Sequence, residues 1–265
     1  MPFKPPEVHL DKLKMFFGEP YEIDLDSAVG KFTIYQPTIG DILRFGEREF
    51  YQTLNVFVTN TTACRLMLWK MGIDWTEFKD YHLFLMLTKQ INADAAALIF
   101  RDFDITTFEV MEKKTHDEKG NEIKELSLYN HDLQIEINEE AYYYISQYLR
   151  TCFNIFPERK ITSNPVLKQW YIDKDKRELA NNKKMEESGK HKDVSIQSVI
   201  SACVNHPGFK YKTAELRDVG VYEFYDSVKR LQVYESSTAL MKGMYSGFVD
   251  GKSISPDAYN FMKDI

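Results

Sequence analysis

Apolar and polar residues alternate over Tyr21-Glu22-Ile23-Asp24 and again over Lys31-Phe32-Thr33-Ile34-Tyr35. Period-two alternation is the mark of a half-buried strand. A polar turn that includes Gly30 separates the two segments, so they predict a short hairpin at roughly 20–36. Pro37-Thr38 then changes the period. Ile39, Ile42, Leu43, Phe45, Phe50, Leu54 and Phe57 recur at helical spacing and predict a helical run over 38–58. Thr38 is the expected N-cap, and Asp41 places a carboxylate in the first turn. Asn60-Thr61-Thr62 marks a break. Helices are expected from Ala63 to Met71, after Trp75-Thr76 (with Phe78, Leu83, Phe84 and Leu87 inward), and from Ala93 to Phe100.

The texture changes over 103–137. Phe108 to Met111, Ile123 to Tyr129 and Leu133 to Ile137 alternate, and Asp117-Glu118-Lys119-Gly120-Asn121 reads as a turn. A small central antiparallel strand pair follows. Asn138 caps the next helix, which carries Tyr142, Tyr143, Tyr144, Ile145, Tyr148, Leu149 and Phe153 and stops before Pro157. Residues 164–192 are charge-dense with mixed signs, the pattern of an exposed helix with i,i+4 pairs. Ser188-Gly189-Lys190-His191-Lys192 is the expected linker. Helices from Ser195 to Asn205, Thr213 to Gly243 and Pro256 to Met262 complete the chain. The expected class is mainly α (α+β). The expected organisation is an N-terminal helical domain over 1–160, a charged helix and linker over 161–193, and a C-terminal helical unit over 194–265.

Composition narrows the function by exclusion. The 265 residues carry a formal net charge of −6, which does not attract nucleic acid or an anionic membrane. Cys64, Cys152 and Cys203 are far apart, form no CxxC pair and fit a reducing compartment. Met1 to Pro6 holds no apolar run, so no signal peptide is expected, and no apolar stretch approaches the ~18 residues of a membrane span. A cytoplasmic protein is the expectation.

The motif search points away from catalysis. The sequence has no HExxH, GxxxxGK[ST], GxGxxG or GxSxG. His116 and His131 flank the central turn and would meet if the strands paired around it, although ordinary surface histidines fit as well. Asp102 and Asp104 flank Phe103, and Asp173 and Asp175 flank Lys174. With no third ligand in view, solvated loop or helix-end charges explain both pairs better than a metal or proton-sharing site. The expectation is no enzyme activity, no cofactor and no metal.

Other residues suggest a family. Phe17-Gly18-Glu19-Pro20-Tyr21 leads into Phe32-Thr33-Ile34-Tyr35, then Gln36-Pro37-Thr38-Ile39-Gly40-Asp41-Ile42 and Phe45-Gly46-Glu47-Arg48-Glu49-Phe50-Tyr51. Met71-Gly72-Ile73-Asp74-Trp75 and the helix Asp80 to Phe84 follow. Near the other end stand Asn205 to Tyr211, Ser227-Val228-Lys229-Arg230-Leu231-Gln232 and Gly243-Met244-Tyr245-Ser246-Gly247. Together they resemble phage and prophage proteins of low-GC Gram-positive hosts, and the start is similar to tail assembly chaperones of long-tailed phages. The resemblance implies a helper that binds the tape-measure protein in the host cytoplasm during tail morphogenesis. A structural virion protein of the tail, neck or baseplate is the alternative. The chain is longer than many such chaperones. Homo-oligomerisation stays open.

With 16 Tyr and 18 Phe, aromatics fill the core first, and a partner surface is the second use. Three consecutive tyrosines on a helix spread over about 200°, so Tyr142, Tyr143 and Tyr144 do not all face one core. They and Phe224 and Tyr225 are the candidate partner-binding residues.

Overall fold

The computed structural model describes residues 4–25, 29–116, 122–188 and 195–264. The expected 117–121 turn and the linker beyond Ser188 lie outside the described residues. The class is α+β: many helices with two small antiparallel sheets.

A short helix, α1 (Lys12–Phe16), opens the chain, and the Asp11 carboxylate caps it by accepting from the Leu13 and Lys14 amides. The hairpin follows, β1 (Tyr21–Asp24) against β2 (Lys31–Ile34), with Ile23 opposite Phe32. Thr38 and Asp41 then form a reciprocal capping box at the start of α2 (Ile39–Phe45). The helical run expected over 38–58 is broken at Gly46, whose φ of 126° no L side chain adopts easily. From there α3 (Glu47–Val58) runs into the core, burying Phe50, Leu54 and Phe57. Its C-terminal carbonyls are met by Arg150, which donates to Val58 and Thr59. Next come α4 (Arg65–Lys70), α5 (Asp80–Leu87) and α6 (Ala93–Ala96).

The central β element has one strand more than expected. β3 (Glu109–His116) pairs with β4 (Glu122–Asn130), and β4 also pairs with β5 (Ile135–Ile137). Asn138 caps α7 (Glu139–Phe153), accepting from the Ala141 amide. Helix α7 packs against α3, α5 and the helix Val221–Tyr245. Phe84 stacks on Tyr142 at 4.6 Å, Tyr21 stacks on Tyr148 at 4.8 Å, and Phe50 meets Phe153 at 5.6 Å.

The charged tract is α8 (Pro165–Glu187), with Ile172 its sole buried residue. Asp175 pairs with Arg65, Lys168 pairs with Asp74, and Arg65 lies over the Tyr171 ring. From Lys176 to Ser188 every residue is exposed. Then α9 (Ile196–Val204) starts where the Ile196 amide donates to the Glu47 carboxylate at 2.6 Å.

The helix expected from Thr213 begins later. A 3-10 turn over Glu215–Arg217 and extended Gly220 precede α10 (Val221–Tyr245). This stretch enters the N-terminal core. The Ile39 amide donates to Val219 and the Val221 amide to Pro37. Leu216, Val221 and Phe224 belong to the same apolar cluster as Phe50 and Ile39. The short α11 (Pro256–Tyr259) then folds back beside α10.

Candidate functional site: a groove along α10

After its first two turns, α10 leaves the core and becomes the wall of a surface groove. Its main cavity is about 750 Å³, between α10 and three separate pieces of chain. Phe16 comes from α1, Phe209 and Tyr211 from the loop after α9, and Phe261 and Met262 from the C-terminal segment. At Gly208 the loop lies close to α10. A Cβ there would lie 3.2 Å from Leu231 and from the His206 ring. Phe209 and Tyr211 meet edge to face at 5.5 Å, and the Tyr211 hydroxyl donates to Glu223 at 2.7 Å. Burial, then that carboxylate, raises the Tyr211 pKa. On the other wall, Tyr234 meets Phe261 edge to face at 5.7 Å. Arg230 fixes this wall with one nitrogen, donating to the carbonyls of Phe261 and Lys263 at 2.8 Å each.

Two smaller depressions adjoin it. One of about 290 Å³ lies across Asp226, lined by Lys12, Asn154, Phe156, Tyr222, Tyr225 and Lys229 among others. One of about 390 Å³ lies beyond Phe261, beside Met241 and Tyr259. At 100° per residue Arg230, Tyr234 and Met241 share one face of α10. Along α10 the main cavity reaches from Asp226 to Tyr234, roughly 12 Å at 1.5 Å per residue, and Met241 belongs to the separate depression beyond Phe261. Past its end, Tyr245 and Phe248 are 83% and 90% exposed. Here α10 closes in a Schellman turn, with the Phe248 amide donating to Gly243 and Gly247 at φ 77°.

Residues 183–265 match the family described as the YomV second domain. This is a phage-linked family, and the match spans the end of α8, the whole of α10 and the C-terminal segment. No curated protein and no solved structure matches the chain. Most of the groove belongs to the YomV-like segment, whereas Phe16, Lys12, Thr151, Asn154 and Phe156 reach it from outside.

Of the five residues singled out from sequence, Tyr142 and Phe224 are core residues, 4% and 0% exposed, so no partner reaches them in the folded chain. Tyr143 and Tyr144 are half-buried on α7. Tyr225 alone lines part of the groove, and its hydroxyl is 2.7 Å from that of Tyr51. Phe16, Phe209, Tyr234 and Phe261 carried no signal of a shared site, because up to 245 residues separate them.

The other candidate groups have structural roles. Asp104 caps the turn before Phe108, accepting from the Thr106 amide and hydroxyl, and Asp102 accepts from the Tyr35 hydroxyl. The strand register sets His116 opposite Glu122 at the tip of the hairpin, while His131 follows β4 at its base. The backbone therefore sets the two positions at opposite ends of the hairpin. Cys152 and Cys203 are buried, and burial raises both thiol pKa values. Among the described residues, no group of three or more His, Cys, Asp or Glu side chains is placed to hold a metal, and no helix is long and apolar enough to cross a membrane.

Proposed function

We propose that this chain is a non-catalytic, tail assembly chaperone-like phage protein that binds the tape-measure protein in the host cytoplasm during tail morphogenesis. One observation carries the reading. A trough walled by aromatic and aliphatic side chains runs along α10, inside the segment that matches a phage-linked family. A tape-measure protein is a long amphipathic helix that aggregates when its apolar stripe meets water. Laying that stripe in a groove is the helix-in-groove mode of recognition. The net charge of −6 speaks against a nucleic-acid or anionic-membrane partner. Co-expression tests the proposal: a tape-measure fragment is soluble with this protein and aggregates without it. Equal solubility in both cases overturns it.

Tyr245 and Phe248 favour a second reading. Large apolar residues this exposed suit a permanent neighbour, as in a structural protein of the tail, neck or baseplate. Mass spectrometry of purified virions separates the two. The chaperone is absent from particles, and the structural protein is abundant in them.

A further inference from the structure

The segment from Ser255 to Asp264 runs back along the outer half of α10. Pro256 and Asp257 lie beside Met241, and the carbonyls of Phe261 and Lys263 reach Arg230. Its attachment to the helix is made by side chains. Arg230 donates to those two carbonyls, and Tyr234 meets Phe261 edge to face. Among the described residues, the backbone hydrogen bonds of the segment close within it, Ala258 donating to Ser255 and Lys263 to Asn260.

The seat is poorly filled. Phe261 stands between two gaps, the main cavity on the side of Leu231 and Tyr234 and the depression beside Met241. Each gap forfeits dispersion contacts that a filled seat makes. Ser237 lies on the same face of α10, between Tyr234 and Met241. It is 2% exposed, and its hydroxyl has no hydrogen-bond partner among the described residues. A buried hydroxyl without a partner favours any state that returns it to water. Residues 250–253, just before the segment, are exposed and can act as its hinge.

We infer that segment 255–264 is a strap that lifts off α10 while the rest of the fold stays closed. In the closed form Arg230 and Phe261 hold it down. In the open form Ser237 is hydrated, and Tyr234 and Met241 join the exposed Tyr245 in one uncovered face. The strap is an autoinhibitory contact, because this face of α10 is offered only while the strap is up. The opening requires no particular partner, so it does not rest on the tail-assembly reading.

A thiol placed under the strap tests it. Ser237→Cys suits the buried position, since a free cysteine packs as a small hydrophobe. Maleimide labelling of the full chain, resolved by peptide mass spectrometry, compares position 237 with the buried Cys152 in the same molecule and with the exposed control Tyr245→Cys. Local opening is more frequent than global unfolding, so position 237 is labelled roughly tenfold or more faster than Cys152, yet slower than position 245. Adding Arg230→Met, which keeps an apolar stem and removes both donors, speeds labelling at 237 by about tenfold and leaves Cys152 unchanged. Ending the chain at Ile254 brings position 237 to the rate of the exposed control.

Labelling at 237 no faster than at Cys152 makes the segment a fixed part of the fold and overturns the inference. Labelling as fast as the exposed control in the full chain overturns it too, because the segment is then never seated. So does Arg230→Met that leaves position 237 unchanged or speeds both positions alike. Slow labelling that survives the truncation shows that something other than the segment covers Ser237, and overturns it as well.

Discussion

The hydroxyls of Tyr51 on α3 and Tyr225 on α10 lie 2.7 Å apart, across 174 residues of sequence. Each is the other's hydrogen-bond partner in a mostly apolar setting, with Phe50, Phe153 and Phe224 rings around them. Removing one hydroxyl leaves the other without that partner, and because both tyrosines are half-buried the loss is about 1 kcal/mol. Tyr51→Phe and Tyr225→Phe should each destabilise the protein by that order. The double variant should lose clearly less than the sum of the two. A double-mutant cycle in urea checks this, and strict additivity would mean that the pair is not coupled.

Burial raises the pKa of Tyr51, Tyr81, Tyr142, Tyr148 and Tyr225 above the ordinary value of about 10. The folded state therefore holds these protons at a pH where the unfolded chain has released them. Their contribution to stability is complete below about pH 10 and falls as pH rises beyond it. Each such tyrosine adds a slope of about 1.4 kcal/mol per pH unit once the unfolded chain ionises. Unfolding monitored by circular dichroism should show an abrupt alkaline transition. Phenolate absorbance should rise in two steps, exposed tyrosines first and these five on unfolding. A single smooth titration with no loss of structure would contradict it.

Gly40 on α2 is packed against the backbone of the 3-10 turn at Glu215–Arg217. A Cβ there would stand 2.5 Å from the Arg217 carbonyl oxygen. The φ at this position is ordinary, so the glycine is required by space and not by conformation. Gly40→Ala must push two backbones apart and should cost about 1–3 kcal/mol, as overpacking does. Gly72 makes the comparison. Its φ is 76°, yet nothing lies within 4 Å of the missing Cβ. Gly72→Ala should therefore cost only the left-handed backbone penalty, about 1 kcal/mol. Thermal melts of the two variants rank them, and an equal or reversed order would reject the packing argument.

Local chemistry was the legible part of this sequence. Thr38 with Asp41, and Asn138 with its helix, combine a cap residue with a change of period, and both are helix starts in the structure. The hairpin at 21–34 follows from alternation alone. The break at Gly46 was not legible, because the apolar spacing runs through it and a helix interior tolerates a glycine at modest cost. The late start of α10 was hidden similarly, since Leu216, Val219 and Val221 run on with apolar spacing while the backbone of Val219 pairs with Ile39 and that of Val221 with Pro37. The groove was the least legible feature. Helical periodicity marks a wide apolar face on α10 but does not say which part the core covers. Val221 and Phe224 are covered and Tyr234 is not, because α10 outruns the body it is anchored in.

Cutting the chain within α8 should not part its two ends. The second half of α8, from Lys176 to Ser188, is a fully exposed helix. A single helix of this length is marginal in water when nothing packs on it. Opening it for a protease should therefore cost little compared with opening the core. Trypsin has targets there at Arg177, Lys183 and Lys184, so limited digestion should cut this stretch before any other. The fragments should not separate. The 216–224 stretch buries Leu216, Val221 and Phe224 in the core formed by α2, α3 and α7, and backbone hydrogen bonds join Ile39 to Val219 and Pro37 to Val221. Gel filtration of the nicked protein should give one peak at the intact size, and denaturing electrophoresis should resolve it into two pieces. Adding Phe224→Ala, a core truncation costing about 3–5 kcal/mol, should let the pieces dissociate. Two separate peaks from the nicked wild type would mean that the C-terminal segment folds without the N-terminal core.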